Sequence, residues 1–139
     1  MVDRITPDPY PWKREYESDN RLYDAQTRKF LEIINMMKEL VATGVDKEGI
    51  SRVFFQLIYY FEEYMLREEI YLTELGYDNL EAHKGDHRDF TKRIIAFREG
   101  FEKGEKGFEK EMYLYLEKWF DEHMMIYDRK AANFILERQ

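Results

Sequence analysis

Residues 81–90 read EAHKGDHRDF. His83, His87 and Phe90 follow one another at steps of four and three, the spacing of one face of an α-helix. The same face begins at Leu80 and runs on through Ile94, Phe97 and Phe101. An apolar stripe that opens on two histidines is the feature to explain, because the whole chain has only 3.

Three other segments carry stripes of the same period. One runs Tyr23, Thr27, Phe30, Ile34, Met37, Val41. Another runs Ile50, Val53, Leu57, Tyr60, Tyr64, Glu68, Tyr71, Leu75. The last runs Met112, Leu116, Trp119, His123, Ile126, Lys130, Phe134. Turn signals at ATGVDKEG, ELGYDN and EGFEKGEKG separate them, giving helices over about 19–43, 48–75, 79–101 and 107–136. Four amphipathic helices with short connections predict an all-α fold, an antiparallel up-down-up-down four-helix bundle. Pro7, Pro9 and Pro11 mark residues 1–18 as an extended N-terminal arm, with Trp12 as its anchor on a bundle of residues 19–139.

Composition narrows the classes. The 139 residues suit one domain, and 11 Tyr, 10 Phe and 2 Trp supply large core side chains. With no cysteine, disulfides, iron–sulfur clusters and thiol nucleophiles are excluded, and a cytoplasmic setting is expected. A net charge of -7 disfavours nucleic acid and anionic membranes as partners. No apolar run reaches the roughly 18 residues of a membrane span, and MVDRITPDPYPWKRE lacks a signal-peptide core.

The polar interruptions of the stripes share a level. Thr27 is early in the first helix, Glu68 late in the second, His83 and His87 early in the third, and His123 and Asp128 late in the fourth. In an up-down-up-down bundle those positions meet at one end. A buried carboxylate is costly unless paired or bound to a metal, and three histidines with two carboxylates make a good metal site. His83 and His87 differ by about 40° around a helix and about 6 Å along it, so they can share a centre. His123 and Asp128 differ by about 140° on an ideal helix. They converge only around a metal between them or on a locally wider winding, as in a π-bulge. Taken singly, each residue also has a plain reading: core or surface histidines, a paired Glu68, and Tyr64 as a core aromatic.

HKGDH followed by WFDEHMMIYD resembles the hemerythrin family, especially its single-domain bacterial members. The family pattern is D-x-Q-H in the first helix, H-F-x-x-E in the second, H-x-x-x-H in the third and W-x-x-x-H-x-x-x-x-D in the fourth. The resemblance implies that His83, His87 and His123 bind one iron, with Glu68 and Asp128 as bridging carboxylates. It also implies a second iron, the one that takes dioxygen. Here the chain departs from the family. In YDAQTRKF, Asp24 and Gln26 match but Thr27 stands where a histidine belongs; in YYFEEYMLREE, Glu68 matches but Tyr64 stands where a histidine belongs.

Thr is a poor iron ligand because its hydroxyl stays protonated. A Tyr64 phenolate is a hard donor suited to ferric iron. Reversible oxygen carriage should suffer from either change. Three readings follow. One is a hemerythrin-like iron protein holding one or two irons, which binds dioxygen or a related small ligand for storage, delivery or sensing. Another is a peroxidase or oxidase on the same scaffold. The third is a bundle with a single zinc or a vestigial site. No triad, phosphate loop or paired-carboxylate cleft supports other enzyme chemistry.

Overall fold

The structure, a computed structural model, describes residues 5–138. Helix α1 (Arg21–Thr43) starts where the Asn20 side chain accepts from the amides of Leu22 and Tyr23, covering two donors that the helix start leaves free. Asp46 does the same for α2 (Lys47–Tyr60), accepting from the Gly49 amide at 2.6 Å. That helix passes through a π-wound stretch, Phe61–Met65, into α3 (Leu66–Leu75). Gly76, at φ 70, closes α3 in the left-handed conformation that glycine adopts freely. Helix α4 (Leu80–Glu102) follows. The last rod is α5 (Glu109–Trp119), a longer π-wound stretch Phe120–Asp128, and α6 (Arg129–Leu136).

These elements form four rods joined by short connections, a four-helix bundle. α1 packs on α2 and α5, and α3 packs on α4. Among the described residues no helix is long and apolar enough to cross a membrane. In the arm, the Tyr10 amide donates to Asn35 Oδ1 at 2.8 Å. Trp12 packs edge-on to Tyr16 at 5.6 Å, with the Arg28 guanidinium 3.9 Å from its ring centre.

The core is divided in two. A large cluster holds Phe30, Ile34, Leu57, Tyr60, Phe90 and Trp119; a smaller one holds Tyr23, Leu72, Tyr77, Ala131, Ala132 and Ile135. Burying each large apolar side chain contributes about 1.5–3 kcal/mol, so both clusters clamp what lies between them. On every rod a polar residue falls in that gap. Thr27 lies between Tyr23 and Phe30, Glu68 between Met65 and Leu72, His83 and His87 between Leu80 and Phe90, and Asp128 between Met124 and Ala131.

The two π-wound stretches correct the straight stripes. Bonding from i to i+5 holds an extra residue in each turn, which rotates everything beyond it. In the second rod the inward positions become Tyr60, Met65, Glu68 and Leu72, while Tyr71 is exposed and Tyr64 is only partly buried. In the fourth rod Asp128, Ala131 and Ile135 turn inward, while Ile126 is 61% exposed and Lys130 faces solvent.

Candidate metal centre

Glu68, His83, His87, His123 and Asp128 are all buried, and one ligand atom from each lies within 4.8 Å of the others. The π-wound turn Phe120–Asp128 brings His123 and Asp128 to the same centre, overcoming the wide angle that their five-residue spacing makes on a regular helix. His123 Nε2 is 3.0 Å from Asp128 Oδ1, and His83 Nε2 is 3.2 Å from the same oxygen. Glu68 Oε1 is 3.1 Å from His83 Nε2 and 3.2 Å from His87 Nε2. The Nε2 atoms of His87 and His123 are 3.1 Å apart. Two nitrogens each about 2.1 Å from one ion and at right angles to each other would be separated by about that much.

These close approaches satisfy little as hydrogen bonds. Both Glu68 oxygens, Asp128 Oδ1 and both His83 nitrogens are buried without an aligned partner. Nearly all buried polar atoms in folded proteins have one. A set of convergent lone pairs without donors is what a cation would satisfy, so the residues fit a metal ion.

The outer edges of two rings are held by a further pair of acids. His87 Nδ1 is 2.8 Å from Glu69 Oε2, and His123 Nδ1 is hydrogen-bonded to Asp86 Oδ2. Donation from Nδ1–H to a carboxylate fixes the tautomer, aims the Nε2 lone pair inward and makes the ring a stronger donor. Nothing in the stripe pattern points to Glu69 or Asp86. They flank the inward positions and meet their histidines only once the rods are assembled. Trp119 stacks on the third ring of the set, His123, at 4.2 Å and 8°.

Pairing between the carboxylates and the imidazoles outweighs burial in the titration of the cluster. Burial pulls His83 down, but Asp128 and Glu68 outweigh it and raise the ring to about 10. Burial likewise opposes, and Glu68 and Glu69 raise, His87 to about 9. Burial pushes Asp128 up, yet His123 and His83 hold it well below the usual carboxylate range.

The two residues expected at a second metal are placed differently. Thr27 is buried, and its hydroxyl donates to the Tyr23 carbonyl at 2.9 Å, one turn back on its own helix. Tyr64 is partly buried, with its ring 5.2 Å from Tyr60 and 6.4 Å from Tyr59. Burial raises its hydroxyl pKa, and the charged or ionisable groups acting on it are Tyr59, Glu32 and Glu63. It lines a cleft of about 340 Å³ between α1 and the second rod, whose walls include Tyr59 and Arg67 and whose inner side includes Tyr23, Gln26 and Glu68.

A four-helix bundle with a buried histidine–carboxylate cluster between two apolar layers defines a class of metal-binding proteins. Comparison with known proteins narrows it: residues 18–134 match the Hemerythrin HHE cation binding domain. The chain is 31% identical over 125 residues to a bacteriohemerythrin of Clostridium acetobutylicum, covering 87% of this chain and 97% of that one. It is 25% identical over 122 residues to a bacteriohemerythrin of Stenotrophomonas maltophilia, covering 88% and 78%. No solved structure is a significant match. The chain belongs to the hemerythrin family.

Proposed function

We propose that the protein is a hemerythrin-like non-haem iron protein that binds dioxygen or a related small ligand, in the cytoplasm, with its second metal position altered. The observation that carries this reading is the buried convergence of three imidazoles and two carboxylates, in which both Glu68 oxygens and Asp128 Oδ1 have no hydrogen-bond partner. His83, His87 and His123 are the nitrogen ligands, and Glu68 and Asp128 the oxygen ligands. Imidazole with carboxylate suits iron, and a three-nitrogen set also admits zinc. The family assignment favours iron.

Iron bound here would supply the redox-active centre to which a small ligand attaches. The chain's own residues set the conditions. Glu69 and Asp86 orient two of the rings and increase their basicity. Phe90 and Trp119 on one side and Leu72 and Ala131 on the other exclude bulk water. Gln26 holds Asp128 by donating to its Oδ2 at 3.2 Å. The cleft beside Tyr64 offers a route from solvent to the Glu68 side of the cluster.

The test is the metal content and visible spectrum of protein purified without added metal. Iron in the preparation, with an absorption that changes when oxygen is removed and restored, supports the reading. Peroxide turnover with no oxygen-dependent change favours the enzyme alternative. A colourless protein holding zinc or nothing contradicts both.

A further inference from the structure

Each carboxylate of the cluster faces two ways. Glu68 Oε1 and Asp128 Oδ1 approach the histidine nitrogens. In a two-metal site the partner oxygens would bind a second ion, about 3.5–4 Å from the first. In this chain Asp128 Oδ2 is already occupied, because the buried Gln26 amide donates to it from α1. An amide nitrogen has no lone pair to offer a cation, so an ion there must first displace it. The Gln of the family's first-helix pattern precedes a histidine; here it precedes Thr27, whose hydroxyl donates back to its own helix and does not face the second position as a nitrogen ligand.

The other outward oxygen, Glu68 Oε2, has no aligned partner, and neither does the buried hydroxyl of Tyr23, one turn before Thr27. Both residues line the same cleft as Gln26. Tyr60, nearby in the core, is fully buried with its hydroxyl directed at Met124 Sδ, 3.8 Å away. All 3 histidines of the chain already face the first position.

We infer that Gln26 stands in for the second metal, its N–H group satisfying the outward oxygen of Asp128, so that the centre holds a single ion. The inference rests on the proposed iron site and narrows it. A lone ferrous ion yields one electron to a ligand where a pair yields two, so this centre is suited to binding or sensing a small ligand and not to carrying dioxygen at the two-electron level.

The experiment uses the full chain, stripped of metal, reloaded with excess ferrous iron without oxygen, desalted and then oxidised. Bound iron is counted by elemental analysis and its spin state read by electron paramagnetic resonance. The expected result is a single ion per chain, with a high-spin ferric signal that accounts for all the bound iron. Two ions per chain with little signal, the mark of a coupled pair, overturn this inference but leave the iron site standing. No bound iron overturns the iron site itself. Gln26→Glu then tests the assignment to Gln26. It removes the donor, keeps the shape and adds an anion, so bound iron should rise toward a second ion with loss of ferric signal. Iron that stays at a single ion in Gln26→Glu shows that Gln26 is not what closes the position.

Discussion

Asp86→Asn is the sharpest probe of how the cluster is held. Asp86 lies on α4 next to His87, but its carboxylate bonds His123 on the last rod. It is a partly exposed acid, with 29% of its side chain accessible, acting on a ring that is fully buried. The amide of Asn keeps the size and can still accept from Nδ1–H, so the ring stays in place. What is lost is the negative charge that strengthens the donor. Changing such a carboxylate partner typically weakens metal binding by about 10–100-fold, which corresponds to about 1.4–2.8 kcal/mol. The solvent access of Asp86 argues for the lower half of that range, since water screens part of the charge. Glu69→Gln, acting on His87 through a 2.8 Å contact from a side chain 22% exposed, should cost a similar amount. The assay is competition for metal against a coloured chelator at fixed pH, with Asp89→Asn, an exposed acid on the same helix, as the control. If Asp86→Asn and Glu69→Gln both bind metal within a factor of about two of the unaltered chain, the outer carboxylates do not tune the ligands and the argument from tautomer and basicity is wrong.

Other outcomes follow from the same geometry. His123→Ala removes an imidazole held between Asp86 and Asp128; on the proposed ligand set, metal content should fall to a small fraction and the metal-dependent part of the thermal stability should vanish, as read by melting with and without added iron. In the metal-free protein His83 and His87 have folded pKa values raised to about 10 and about 9. Their contribution to stability is therefore complete below the unfolded value of about 6.5 and is lost as pH rises through 9 and 10; chemical denaturation across that window checks it. Metal must displace those protons, so affinity should rise with pH over the same range and loading near neutral pH should acidify a weakly buffered solution. Tyr64→Phe removes a hydroxyl that lines the cleft. It should leave iron content and colour unchanged, and a lost charge-transfer band would instead make Tyr64 a ligand.

How far the sequence could be read depended on where the helices are regular. His83 and His87 lie in an uninterrupted α-helix, so their four-residue spacing translated directly into a shared face. The level of the cluster was legible too, because an up-down-up-down order places the start of one rod beside the end of the next. Asp128 and Tyr64 were harder for a single reason. Each lies in a stretch wound at i to i+5, where a residue offset does not mean the angle it means elsewhere. The wider turn draws Asp128 in and leaves Tyr64 at the side, and it moves Ile126 and Tyr71 out to solvent. Glu69, Asp86 and Gln26 acquire their roles through contacts between rods. Gln26 was visible as part of a motif, but its hydrogen bond to Asp128 spans 102 residues and no local pattern encodes it.

The most direct test of the account is a crystal structure of protein purified with its own metal, with diffraction recorded on both sides of the iron absorption edge. The account predicts an anomalous peak at the centre of the cluster, within about 2.0–2.3 Å of the Nε2 atoms of His83, His87 and His123 and of an oxygen from each of Glu68 and Asp128. A cluster without such a peak, or iron bound elsewhere on the chain while the five side chains pair only with one another, would contradict it.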